Sequence, residues 1–271
     1  MPPDSSSSPT PARRGAPVLC TFVDAGASEE MLHQIGTWGA NRESRSVYFV
    51  NVHSVVTARS DSALRRAFDR GDLLAPDGHP VAWTLRRRGY PAQKRVAGPD
   101  SMARLLEQCA RDGQSVFFFG ETETTLQRMR NALARQHPGL HVAGMISPPF
   151  RPLTDSEDQA IVEEINASRA NVVFVALGCP KQEKWIDAHK GRIHAPMLGV
   201  GIAFAFHAGV VPRAPRWMHG LGLEWIHRLC CEPRRLAGRY LVTNSIFLLR
   251  TIADMTRQFV ARRTPVNPAA H

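Results

Sequence analysis

The chain has 271 residues and a mass of 30.0 kDa, with 43% apolar and 21% charged residues. That is ordinary globular composition with enough chain for a substantial core, and it excludes a disordered, collagen-like or coiled-coil protein. Lys and Arg number 34 against 24 acids, so the net charge of +10 calls for an anionic partner: nucleic acid, lipid headgroup or phosphorylated substrate.

Residues 1–16 are rich in Ser and Pro, carry two Arg and have no apolar h-region. They read as a disordered tail rather than a signal peptide. From 17 to 210 short apolar, β-branched runs alternate with amphipathic stretches. Strands are predicted at 18–23, 47–51, 73–75, 116–119, 142–145, 172–176 and 197–200. Helices are predicted at 29–38, 61–69, 80–87, 100–111, 122–136, 155–168 and 181–189. This order predicts an α/β fold, a Rossmann-like, mostly parallel sheet with flanking helices. Thr154, three residues before Glu157, marks a capping box, and Pro138-Gly139 marks a turn. In such sheets ligands gather beyond the carboxyl ends of the strands, so the loops after strands are where chemistry belongs.

Four of those loops carry candidates. In Ala75-Pro76-Asp77-Gly78-His79-Pro80 a strand ends in a tight turn into a helix. Asp77 can take a proton from a substrate hydroxyl, or it can simply cap the helix. In Phe119-Gly120-Glu121-Thr122, Gly120 precedes a helix start that offers backbone N–H groups to phosphate. Neither the G-x-G-x-x-G fingerprint nor the Walker pattern is present, and the neighbouring Glu residues oppose an anion. Leu177-Gly178-Cys179-Pro180-Lys181-Gln182-Glu183 is a strand-to-helix turn whose Lys181 and Gln182 can meet a diphosphate or a nucleobase, or be an ordinary turn. In the fourth, Gly199 and Gly201 allow close approach of backbone to ligand, and His207 reads as a structural histidine.

Beyond 210 the character changes. Residues 211–271 hold ten Arg, no Lys and three acids, a net +7. Trp217, Leu221, Trp225 and Ile226 stand among Arg213, Arg216, Arg228, Arg234 and Arg235. This predicts an Arg-rich helical appendage over 211–263 and a loose tail over 264–271. Apolar residues beside Arg suit an interfacial helix on anionic lipid; the alternative is a helix packed on the sheet with a solvated basic face. Guanidinium forks bind phosphate, while Glu224 and Arg228 are also spaced for an i,i+4 ion pair. No stretch reaches the roughly 18 apolar residues of a membrane span, since 240–255 is broken by Asn244, Arg250 and Asp254. The five Cys include no C-x-x-C pair, which predicts reduced thiols, no zinc site and a cytoplasmic protein.

The motifs P-D-G-H-P at 76–80, R-V-A-G at 95–98, P-K-Q-E at 180–183, G-V-G at 199–201, H-A-G at 207–209, R-A-P-R-W at 213–217, G-L-E-W-I-H-R at 222–228 and E-P-R-R-L at 232–236 occur in this order. Together the chain resembles the WecG/TagA/CpsF family of bacterial glycosyltransferases (glycosyltransferase family 26) over roughly 45–245. The resemblance implies inverting transfer of a sugar from a UDP-sugar to a polyprenyl-diphosphate-linked acceptor, for exopolysaccharide, teichoic acid or a related surface glycan. It implies no required metal and no other cofactor, Asp77 as base, and Gln182 in the pocket. Asn51, Gly98, Gly120, Gly178, Lys181 and Gly201 become substrate-binding candidates, joined by Arg213, Arg216, Arg228, Arg234 and Arg235 from the appendage. It also implies a peripheral position on the inner face of the cell membrane, and self-association in some members. Two departures stand out: Phe49 where the family often has Thr, and Ala205 where it often has Asp. A nucleic-acid-binding module and a nucleotide-binding oxidoreductase are the rivals; no motif of either is present.

Overall fold

The computed structural model describes residues 13–215, 218 and 223–263. Six strands form one parallel sheet in the order β4-β3-β8-β7-β5-β6: β3 (Arg45–Val50), β4 (Leu73–Pro76), β5 (Ser115–Gly120), β6 (His141–Ile146), β7 (Val172–Ala176) and β8 (Pro196–Gly199). The central strands are apolar throughout because both faces are covered. In β5, Val116 and Phe118 belong to one core cluster and Phe117 and Phe119 to the other, on the opposite face of the sheet. Helices α1 (Ser28–Ala40), α5 (Gly98–Asp112), α6 (Glu123–Gln136) and α9 (Ala203–His207) serve the first; α2 (Val52–Thr57), α3 (Ser62–Asp69), α7 (Asp155–Ala167) and α8 (Lys181–His189) serve the second. The predicted α/β architecture is the one observed.

Two predicted boundaries differ. The run 18–23 is a hairpin, β1 (Gly15–Val18) and β2 (Thr21–Asp24), turned by Leu19 at φ 55. Gly15 and Ala16, predicted to lie in the tail, are therefore inside a strand. The hairpin is anchored to the edge of the sheet: Asp24 accepts the Leu74 amide at 2.7 Å and pairs with Arg13 at 2.6 Å. The short α2, absent from the predicted elements, forms because Asn51 and Ser54 cap each other. The Ser54 amide donates to Asn51 Oδ1 at 3.1 Å and the Asn51 amide to Ser54 Oγ at 2.9 Å. The capping box at Thr154 and Glu157 is present as predicted.

Helix α4 (His79–Arg87) follows β4 directly. The appendage contributes α10 (Glu224–Cys231) and the long α11 (Pro233–Arg263). α11 packs on α2, burying Leu236, Thr243, Phe247 and Thr251 along one stripe. Its other flank stays open, with Leu241 72% and Leu249 68% exposed. The two alternatives for this segment thus meet in one helix: one side packs on the α/β core, the other is apolar and bare.

Candidate functional site

A cleft of about 1630 Å³ runs along the carboxyl edge of the sheet and is roofed by α10 and α11. Asp77 lies on its wall. The β4-to-α4 turn holds it there: the Asp77 amide donates to Val50 O at 2.8 Å and the Val96 amide to Pro76 O at 2.9 Å. Asp77 does not cap α4. The N-cap position is Gly78, at φ 93, with no side-chain cap bond. Among the described residues no hydrogen bond ties the Asp77 carboxyl. Part of its surface opens to the cleft, yet the carboxyl sits deep among protein atoms. Loss of solvation raises its pKa from 3.8 to about 6; Arg95 and Arg228 oppose that rise, and Glu224 and Asp100 add to it.

Arg95, in the loop before α5, is the hub of the charges. Its Nη2 donates to Glu224 Oε1 at 3.1 Å and to Asp100 Oδ2 at 3.1 Å, and its Nη1 donates to Glu224 Oε2. Arg213 in turn donates to the other oxygen of Asp100. An alternating chain Glu224, Arg95, Asp100, Arg213 thereby joins core to appendage beside Asp77. Glu224 takes Arg95 as its bidentate partner, a cross-domain contact in place of the local i,i+4 pair considered with Arg228. Arg228 reaches the cleft with its Nε buried and without a hydrogen-bond partner among the described residues. His79 is half-buried; burial, and then the Arg95 cation, lower its pKa.

On the opposite wall Gln182 is buried at the start of α8. Its Nε2 donates to Gly199 O at 3.1 Å and to Glu183 Oε1 at 3.0 Å, while its Oε1 has no partner among the described residues. Burial raises the pKa of Glu183. A Cβ at Gly199 would come within 3.1 Å of Gln182 Nε2 and one at Gly201 within 3.6 Å of its Oε1, so these glycines give the amide its room. Lys181 stands exposed on the rim, and Gly178 and Gly98 also border the cleft. Asn51 borders it too, with Oδ1 spent on capping α2 and Nδ2 outside that cap.

Four candidate residues do not line the cleft or lie outside the described residues. Gly120 is not at the cleft: at φ 127, a Cβ there would lie 2.4 Å from Ala176 O, so this glycine serves strand contact rather than phosphate. Arg234 is exposed and away from the cleft. Arg216 lies outside the described residues, and so does the side chain of Arg235. Burial, with His137 and Arg213 adding to it, pushes the pKa of His207 down to about 4. Arg95 stands out in the sequence only as part of R-V-A-G and Glu224 only as an i,i+4 neighbour of Arg228, yet together they organise the charges. The i,i+4 spacing concealed the longer-range partner.

Residues 16–261 match the Glycosyl transferase WecG/TagA/CpsF family. The chain belongs to that family. It is a glycosyltransferase of cell-surface polysaccharide synthesis, and the family points to a sugar-nucleotide donor and a lipid-linked acceptor. No helix among the described residues is long and apolar enough to cross a membrane. The cleft holds two carboxyls of raised pKa, Asp77 and Glu183, with Arg95, Arg213 and Arg228 and the glycines Gly98, Gly178, Gly199 and Gly201 in its lining.

Proposed function

We propose that the enzyme transfers a hexosyl or N-acetylhexosaminyl group, with inversion, from a UDP-sugar to a polyprenyl-diphosphate-linked acceptor at the membrane surface. The observation that carries this reading is Asp77, a poorly solvated carboxyl with no hydrogen bond among the described residues, on the wall of a cleft that Arg95, Arg213 and Arg228 also line. A carboxylate with a pKa of about 6 is largely ionised at neutral pH and is a stronger base than an ordinary aspartate.

In this mechanism the acceptor O–H passes its proton to Asp77 as the oxygen forms its bond to the anomeric carbon. The bond from that carbon to the β-phosphate oxygen breaks on the opposite face, and UDP leaves with the electron pair. The charge that grows on the leaving diphosphate is met by guanidinium groups, and Arg228, whose buried Nε has no partner among the described residues, is available for it. Arg213 and Arg95 join once the diphosphate competes with Asp100 and Glu224 for them. No metal is required in this scheme, and EDTA is expected to leave transfer intact. Closure of α10 and α11 over the cleft at the lipid surface limits wasteful donor hydrolysis in water.

The test is a panel of UDP-sugars with a polyprenyl-diphosphate-linked sugar acceptor in vesicles. UDP release identifies the donor and NMR of the product reads the new anomeric centre. A product with the donor's own anomeric configuration would remove the single-displacement mechanism.

A further inference from the structure

We propose that the groove between α4 and α11 binds the isoprenoid chain of the acceptor lipid, leading it away from Asp77; this rests on the lipid-linked acceptor of the reading above. The cleft is lined by two unlike sets of side chains. One is charged: Asp77, Arg95, Arg213 and Arg228. The other is mostly apolar: Val52 of α2, Trp83 of α4, and Leu248 and Ile252 of α11, with Thr243, Asn244 and Thr251 of the same helix among them.

A sugar nucleotide is polar along its whole length and does not account for the apolar set. An acceptor with a diphosphate head and a hydrocarbon tail matches both sets at once. The apolar side chains concerned are exposed: Trp83 38%, Leu248 60% and Ile252 53%. Large apolar side chains left in water beside a polar site mark a surface that expects apolar contact. The helix itself is composed for this. From Tyr240 to Leu249 it has no ionisable group other than the tyrosine hydroxyl. The charged pair that closes the far side, Arg88 with Asp254 at 3.8 Å, joins the end of α4 to α11 beyond the apolar stretch. Tyr240 to Ile252 spans roughly 18 Å of helix, room for several isoprene units laid along it. Leu241 and Leu249, exposed on the same helix, give the emerging tail a further apolar surface to follow.

The experiment uses the full chain and a benzophenone-bearing farnesyl diphosphate as probe. After photolysis, labelled peptides are located by mass spectrometry. The groove predicts labels on the peptides carrying Trp83, Leu248 and Ile252, displaced by unlabelled farnesyl diphosphate. Labels that spare the Trp83 peptide, or labels that do not saturate, overturn it. A kinetic arm compares sugar-diphosphate acceptors bearing an isoprenoid tail or a methyl group. Leu248→Glu and Ile252→Glu, both at exposed positions, should lower the preference for the isoprenoid acceptor about tenfold, with Trp83→Ala acting in the same direction. An unchanged preference in all three variants also overturns the groove. If neither acceptor is glycosylated, the functional reading fails, and the labelling pattern still decides the groove.

Discussion

Arg95 and Glu224, 129 residues apart, meet as a two-pronged ion pair in which Nη2 donates to Oε1 at 3.1 Å and Nη1 to Oε2. Both side chains are largely buried, at 13% and 25% exposure, so the pair is little screened by solvent. It fastens α10 to the loop that precedes α5, and it holds a negative charge near Asp77. Glu224→Gln should weaken the fastening by about 1–3 kcal/mol, the usual cost of a lost charge-assisted bond. It should also remove one of the charges that raise the Asp77 pKa. Two measurements follow: faster trypsin cleavage between 213 and 228, and a shift of the acid limb of the pH–rate profile to lower pH. An acid limb that moves upward contradicts the arrangement of charges described here.

Asp77→Asn separates catalysis from stability. Turnover should fall by about 10²–10⁴-fold if Asp77 is the general base. Stability should move the other way. The folded-state pKa, about 6, lies above the ordinary 3.8, so the native fold favours the protonated carboxyl. Its contribution to stability is fully present below pH 3.8 and is lost as pH rises through 6. At pH 7 the wild type therefore carries a poorly solvated charge that the amide does not. The variant should gain up to about 3 kcal/mol there, with Tm curves that converge near pH 4. In the wild type, kcat/KM should drop tenfold per pH unit below about 6. A variant less stable than the wild type at pH 7 would mean that the carboxyl has a compensating partner.

The sheet was legible because buried strands announce themselves: Val116–Phe119 and Val172–Ala176 are apolar on both faces and are bounded by turn residues. The hairpin was read as one strand because its turn uses Leu19 at φ 55 instead of Gly or Asn. The α2 segment V-H-S-V-V-T is β-branched and looks like strand; reciprocal capping by Asn51 and Ser54 overrides that propensity. In the site, Asp77, Gln182 and Gly201 were visible because they follow strands, where this fold puts its chemistry. The bond between Arg95 and Glu224 was invisible because no local spacing encodes a partner so far along the chain. Arg234 was overrated because a basic run does not say which of its side chains turns inward.

Arg228 and Arg234 make a matched pair for testing the cationic end of the cleft. Arg228 lines the cleft and leaves a buried Nε without a partner, whereas Arg234 is exposed and outside it. Arg228→Ala should lower kcat by about 10²–10³-fold, the range for loss of a donor to developing charge. It should also weaken the thermal stabilisation of the protein by UDP. Arg234→Ala should change neither quantity beyond about twofold, as expected of an exposed charge away from the site. Equal losses in the two variants would indicate a diffuse electrostatic role for the appendage rather than a placed guanidinium.

Gly120 and Gly178 both adopt positive φ after a strand, at 127° and 76°, yet the space around them differs. A Cβ at Gly120 would meet backbone atoms of Ala176 at 2.4, 2.6 and 2.9 Å, and a peptide backbone inside the sheet has nowhere to retreat. A Cβ at Gly178 meets nothing within 4 Å, and the residue borders the cleft. Gly120→Ala should therefore act on the fold. Overpacking of about 1–3 kcal/mol and a left-handed penalty of about 1–2 kcal/mol should lower Tm sharply, while the protein that does fold keeps its KM for the donor. Gly178→Ala carries only the left-handed penalty of about 1–2 kcal/mol, so it should fold well. Its added methyl enters space that a ligand would use, and the KM for the UDP-sugar should rise. Thermal melts beside donor KM values check both variants. A raised KM in Gly120→Ala with an unchanged Tm would return that glycine to the phosphate-binding role its position after β5 first suggested.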